Sequence, residues 1–368
     1  MDNRRKNLIV TVTMAVLLLV LSGWCILKPA DEFSESERRV LTQPPELTAE
    51  NVMSTWYMTE FEEYALDQFP MREGFRKLKA FNEFNIFKKM DNNGIFFAEG
   101  HLSKIDYPLQ QDMLDNAVEK FRYLYETYMK DKNNRIYFSV VPDKNEYLAE
   151  PNGYLSLDHQ EVVRFLEEEL DFADNIDLTG TLSLEDYYRT DTHWKQECLE
   201  DTAQALGEGM GADVHSDHDV NVWEEPFYGV YAGQYTLPVE PDSIKYLTSD
   251  TIDNCTVKIY DTGMPVESPV YNMEKAAGRD PYEMYLSGNT AVLTIENPDG
   301  PEGKELVMFR DSFGSSIAPL LIPGYSKITM IDIRYVQSAM VGQFVEFDSQ
   351  DVLFLYNTAL LNNSMAFK

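Results

Sequence analysis

The chain has 368 residues, with 62 acidic against 31 basic side chains and a formal net charge of −31. Such a surface repels phosphate backbones and excludes nucleic-acid binding, and three cysteines without metal-type spacing provide neither a zinc module nor a disulfide framework. Residues 1–28 hold four of the basic and one of the acidic side chains, so the remainder carries a net charge of −34.

In chain order, the first element is an uncharged run from Leu8 to Leu27 preceded by Arg4, Arg5 and Lys6. Twenty residues at about 1.5 Å each span about 30 Å, the thickness of a bilayer's hydrocarbon. The basic flank places the N-terminus in the cytoplasm and the chain after Lys28 outside, as a single-pass anchor of the cell membrane. A cleavable signal peptide is the competing reading, but the exit "SGWCILKP" lacks a small-x-small site. Residues 29–55 carry Pro29, Pro44 and Pro45 and read as a polar stalk ahead of an extracytoplasmic domain over 56–368. From Thr55 to Lys89, Trp56, Phe61, Tyr64, Ala65 and Phe69, then Phe75, Leu78, Phe81, Phe84 and Phe87 recur at helical steps on either side of Pro70, a stripe expected to be core. "NNGIFFAEGHL" reads as a hairpin turning at Asn93–Gly94, and a helix is expected over about 110–129.

Beyond it, "RIYFSVVP", "TAVLTIEN", "ELVMFRDSF", "KITMIDI" and "DVLFLYN" are β-rich, whereas "HQEVVRFLEEELDFA" and "QECLEDTAQALGEGM" are helical. Short apolar runs alternating with helices indicate an α/β fold with a mainly parallel sheet. Residues 212–285, rich in Asp, Pro, Gly and Tyr, are expected to be an irregular insertion. A Cys198–Cys255 disulfide is possible but not required.

Two stretches carry chemistry. In "YRTDTHW", Asp191 and His193 fall two apart, on one side of an extended segment, where the carboxylate can orient the imidazole. The alternative is a helix entrance near Trp194 capped by Thr190 or Asp191. In "ELVMFRDSFGSSIAPLL", a strand ends at Arg310–Asp311–Ser312 and a helix opens. A serine there stands above the C-terminal edge of a sheet, beside unpaired helix N–H groups able to hold an oxyanion. The alternative is that Ser312 or Ser315 merely caps the helix. A nucleophilic serine needs a base and an orienting group, which His193 and Asp191 can supply. Lys144 and Tyr147 are expected at the end of a central strand near the site. "HSDHD" at 215–219 has two histidines but lies in a polar loop and is read as solvated, not as a metal site.

Taken together, "YRTDTHW" and "FRDSFGSSIAPLL" resemble the DHHW family of bacterial surface proteins, related to the alginate O-acetylation proteins AlgJ and AlgX. "FEEYALDQFPMR", "NNGIFFAEGHL", "VPDKNEYL", "FYGVYAG" and "YEMYLSGN" are similar to family landmarks in the same order, so the resemblance covers most of residues 36–357. It implies an SGNH-hydrolase-like α/β three-layer sandwich with Asp191 as acid, His193 as base, Ser312 as nucleophile and Trp194 as the motif tryptophan. It implies no metal and no cofactor. The "SGN" containing Gly288 and Asn289 is similar to an oxyanion or substrate loop, with a plain β-turn as the alternative. Thr192 replaces the first His of the name-giving motif, and Arg310 stands where many such proteins have Gly, where it can change how the backbone N–H near the serine is presented or place a cation beside the leaving group. The implied activity is O-acetyl transfer to a surface glycan, with an MBOAT-type membrane acyltransferase as acyl supplier. A carbohydrate esterase and a non-catalytic glycan-binding protein are the alternatives.

Overall fold

The computed structural model describes residues 3–34, 36–261 and 263–368, which form two compact units: residues up to 93 with 232–238, and 94–231 with 239–368. The first unit opens with helix α1 (Asn3–Leu27), none of whose residues is buried and which is long and apolar enough to cross a membrane. After it, within the segment expected as a stalk, Phe33–Ser34 pairs with Arg39–Val40 and Ala49–Met53 is helical. Helix α2 (Thr55–Asp67) and helix α3 (Arg72–Phe81) follow, separated around Pro70. The apolar stripe of α2 and α3 departs from expectation. Trp56, Phe61, Phe75, Leu78, Phe81 and Phe87 are exposed, because the helices face the 31–42 segment with polar groups instead, whereas Tyr64, Phe69 and Phe84 are half-buried, Phe84 against Tyr235 at 5.1 Å. Asp67 accepts from Arg39 at 2.5 Å and from the Thr42 N–H at 2.9 Å, and Arg72 lies 2.6 Å from Glu37.

The second unit is built on eight strands: β1 (Arg135–Val141), β2 (Asp174–Asn175), β3 (Thr256–Ile259), β4 (Val266–Ser268), β5 (Val292–Glu296), β6 (Glu305–Arg310), β7 (Lys327–Ile331) and β8 (Asp351–Asn357). Their spatial order is β4-β3-β5-β7-β6-β8-β1-β2. The β7, β6, β8, β1 and β2 neighbours pair in parallel, and β5, β3 and β4 complete the sheet antiparallel. Alternation along each central strand sends side chains to two separate cores. Phe138, Phe309 and Phe354 face α4 (Gln111–Leu124) and α5 (His159–Glu169); Val141, Met308 and Leu355 face α6 (Glu200–Met210) and α7 (Ser312–Leu321). This is a three-layer α/β sandwich with a mostly parallel sheet.

Local departures have local causes. The hairpin of Ile95–Ala98 and His101–Lys104 turns at Glu99–Gly100, both at positive φ, instead of at Asn93–Gly94. Residues 212–285 include β3 and β4, which extend the sheet through alternate burial of Val257, so part of the segment expected to be irregular is regular. Cys198 and Cys255 are free thiols, each pushed up to about 11 by burial.

Candidate active site

Strand β6 lies between its parallel neighbours β7 and β8, and its C-terminal end delivers Asp311 and Ser312 to the sheet edge where open α/β sheets place ligands. The cap of α7 is Asp311, not a serine: its Oδ1 accepts from the Phe313 N–H at 2.9 Å and its Oδ2 from the Asn357 N–H at 2.7 Å. Burial pushes this carboxyl above its usual range, against those two donors. Because the aspartate satisfies the helix end, the Ser312 hydroxyl is left for another partner. That partner is His193, whose Nε2 lies 2.7 Å from Ser312 Oγ although the residues are 119 apart in sequence. His193 Nδ1 in turn lies 2.6 Å from Asp191 Oδ1.

The segment carrying Asp191 and His193 is a closed loop that leads into a short 3-10 turn at Gln196–Cys198 and then α6, and the helix does not begin at Trp194 itself. Tyr187 and Trp194 form an antiparallel bridge, the Tyr188 N–H donates to His193 O at 3.0 Å, and α6 starts only at Glu200. Every corner of the loop is tied. Asp242 accepts from the Thr190 N–H at 2.8 Å and its hydroxyl at 2.6 Å, and the Thr190 hydroxyl accepts from the Gly229 N–H at 2.9 Å. Asp191 Oδ2 accepts from the Val230 N–H at 2.8 Å. Gly229 approaches so closely that a Cβ there would stand 2.3 Å from Asp191 Cβ. Lys144, fully buried just beyond β1, donates to the carbonyls of Tyr188 at 3.0 Å and Asp191 at 2.6 Å, with its ammonium 5.1 Å from the Tyr231 ring centre. Burial brings this amine down to about 8. Tyr147 packs on Tyr187, one step from the same loop.

The imidazole is sandwiched as well as hydrogen-bonded. Tyr282 stacks on it at 3.9 Å between ring centres, and Phe313 lies tilted at 4.9 Å. The Tyr282 hydroxyl and the Trp194 indole N–H both meet Ser316 Oγ at 2.8 Å. Trp194 is thereby wholly buried, so it supports the loop from within and cannot touch a substrate. Arg310 also differs from the expected cation beside a leaving group. It is buried, donating to Thr290 Oγ1 at 3.0 Å and to the carbonyls of Gly288 and Thr290, with Asp332 at 3.8 Å. It thus braces the turn of Leu286, Ser287 and Gly288, three consecutive residues at positive φ. Holding two non-glycine residues there costs about 1–3 kcal/mol each. The Gly288 N–H is used on Tyr285 O at 3.0 Å, so Gly288 is not an oxyanion donor. Asn289 is exposed and its amide turns to Glu283 Oε1 at 3.4 Å. In the loop flagged as "HSDHD", His218 Nδ1 pairs with Glu200 at 3.1 Å.

Lys144, Thr190, Gly229, Val230, Asp242 and Tyr282 complete the site. Gly229 and Tyr282 fall in the stretches "FYGVYAG" and "YEMYLSGN", whereas nothing in the local sequence marks Asp242. Chemically, the arrangement pairs a hydroxyl with a base and the base with a buried carboxylate, at the N-terminus of a helix where Asp311 takes the Phe313 and Gly314 N–H groups.

Neither a protein-family profile nor any curated protein matches the chain. Solved structures do. A DHHW family protein from Eubacterium siraeum superposes with a TM-score of 0.57 at 21% identity, covering 74% of this chain and 96% of that one. Bacillus cereus PatB1, in a structure with a sulfonyl adduct, gives 0.59 at 16% identity over 73% of this chain and 97% of that one. At these identities the likeness shows a shared fold.

Proposed function

We propose that this chain is a DHHW-type, membrane-anchored, extracytoplasmic O-acyltransferase that moves acetyl groups onto a surface glycan through Ser312. The observation that carries the reading is the continuous chain from Asp191 through His193 to Ser312, with links of 2.6 and 2.7 Å. His193 Nε2 takes the hydroxyl proton as Ser312 Oγ attacks the acyl carbonyl, and returns it to the departing group, leaving an acyl-serine. A sugar hydroxyl then gives its proton to His193 and attacks the ester carbon, and Ser312 leaves with that proton. Asp191 holds the imidazole in the tautomer this needs. The Ser312 N–H at the start of α7 holds the developing oxyanion, since the next two N–H groups are taken by Asp311, and Asn289 is the candidate second donor. Acyl-CoA is absent outside the cell, so an MBOAT-type membrane acyltransferase supplies the acyl group across the bilayer that α1 spans.

The sulfonyl adduct in PatB1 suggests the reagent class for the test. Purified full-length chain is incubated with a sulfonyl fluoride and assayed with p-nitrophenyl acetate. Labelling at Ser312, and loss of both labelling and turnover in Ser312→Ala, are expected. Turnover that persists unchanged in that variant would sink the nucleophile assignment. With a glycan acceptor present, acetylated glycan is expected, and free acetate as the sole product would reassign the chain as an esterase.

A further inference from the structure

The exposed apolar stripe that the core does not use is continuous with a basic one. Residues 71–90, "MREGFRKLKAFNEFNIFKKM", hold six Lys or Arg against two Glu in a chain whose net charge is −31. Within the same span Phe75 is 47% exposed, Leu78 54% and Phe87 68%, with Met71, Phe81, Ile86 and Met90 also exposed. Arg72 and Arg76 turn inward to Glu37, and the remaining Lys77, Lys79, Lys88 and Lys89, mixed with exposed apolar side chains on one helical segment, make the composition of an element lying at a lipid interface.

Its location within the first unit points the same way. Gln68 clasps Asp31 at both ends of its amide, accepting from the Asp31 N–H at 2.8 Å and donating to the Asp31 carbonyl at 2.8 Å. Asp31 is four residues beyond the end of α1, at most about 14 Å of extended chain. The junction of α2 and α3 is therefore held close to where the spanning helix leaves the hydrocarbon. Glu37, from the same segment, takes Arg72 at 2.6 Å and Arg76 at 3.5 Å, which fixes one face of α3 inward. Met71, Phe75 and Leu78, at steps of four and three, share another face, roughly a third of a turn away. Beyond α3 a π-helical turn (Asn82–Ile86) leads to Phe87 and to Lys88, while Lys89 pairs with Glu83 at 2.6 Å and Lys79 with Asn93 at 2.5 Å.

We propose that residues 71–90 are a second membrane contact, lying in the headgroup region of the bilayer that α1 spans, with Met71, Phe75, Leu78, Ile86 and Phe87 toward the acyl chains. The free lysines meet lipid phosphates while their methylenes lie along the apolar boundary. The proposal rests on the anchor reading of α1. It deepens the function by fixing the first unit flat against the membrane from which the acyl group arrives.

The test uses full-length chain in phospholipid vesicles, with its three cysteines replaced by serine and one environment-sensitive label at a time. Labels at Phe75→Cys, Leu78→Cys and Phe87→Cys are expected to emit to the blue and to be quenched more by shallow than by deep doxyl lipids. Val16→Cys should be quenched by deep doxyl lipids, and Met365→Cys by neither. Quenching at Val16 with red, unquenched emission at 75, 78 and 87 would overturn the proposal and leave the anchor standing. Blue emission without lipid quenching would overturn it in favour of a protein partner or a second copy. No quenching at Val16 would remove the anchor and the proposal together.

Discussion

Single residues decide whether the serine hydroxyl is free or occupied. Asp311 takes the capping role for which the sequence suggests Ser312 or Ser315, and its two N–H donors come from α7 and from the end of β8. Lys144 is the clearest case of a residue whose importance lies in what it holds. Its buried ammonium spans two carbonyls of the Asp191 loop, and Lys144→Met leaves both acceptors unpaired. We expect kcat for ester turnover to fall by about 100-fold, the size of effect that follows from an ångström of misplacement, while KM changes little. Unchanged kcat would show that the loop keeps its geometry without the cation. Gly229→Ala tests the same loop from the other side, since the added methyl would overlap Asp191 Cβ at 2.3 Å with only backbone and Thr190 around it. Activity should drop comparably, and the variant should still react with a sulfonyl fluoride, more slowly.

Among elements, the junction of α2 with the 31–42 segment has a titratable fastening. The Arg39 guanidinium, 2.5 Å away, holds the Asp67 carboxyl well below the usual carboxylate range. A carboxyl depressed in the folded state stabilises above its ordinary value, and that contribution is lost as pH falls below it toward the folded value. Hydrogen exchange of residues 31–42 should therefore accelerate as pH drops below about 4 relative to Asp67→Asn, in which the step should vanish. Equal acceleration in both chains would place the acid-labile contact elsewhere. At this scale the sequence is legible where patterns are local. Helices α4, α5 and α6 and the five central strands follow from apolar period and breakers. The stripe of α2 and α3 was misleading, because a helical apolar period reports a face that needs covering and does not say whether protein or lipid covers it. Strands β3 and β4 are not marked in the sequence, because the pairing of β3 with β5 and of β4 with β3 supplies what their own short, mixed sequences lack.

At the scale of the whole molecule, the acidic excess is a surface property that leaves the buried sheet untouched. Its consequence is colloidal: with a sequence pI of about 4.4, detergent-solubilised protein should scatter most light near that pH and clear on either side. A solubility minimum near neutrality would mean that the exposed apolar surfaces, and not charge, govern association. The sheet itself explains how distant motifs meet. The strand order places β6 between β7 and β8, and the loop of residues 187–194 packs over its C-terminal end through Trp194 and Ser316.

The sequence by itself determined the residue types at the site, their order along the chain, the strand-turn-helix that presents Ser312, and an N-terminal helix apolar enough for a bilayer. These are local properties, read within a few residues of one another. Only the tertiary structure decided that His193 lies within hydrogen-bond reach of Ser312, that Trp194 and Arg310 are braces and not substrate contacts, and that Gly288 spends its N–H on Tyr285. Those outcomes depend on which buried polar groups find partners across the fold. A buried donor or acceptor must be satisfied somewhere, and the partner is set by packing over a hundred residues of intervening chain.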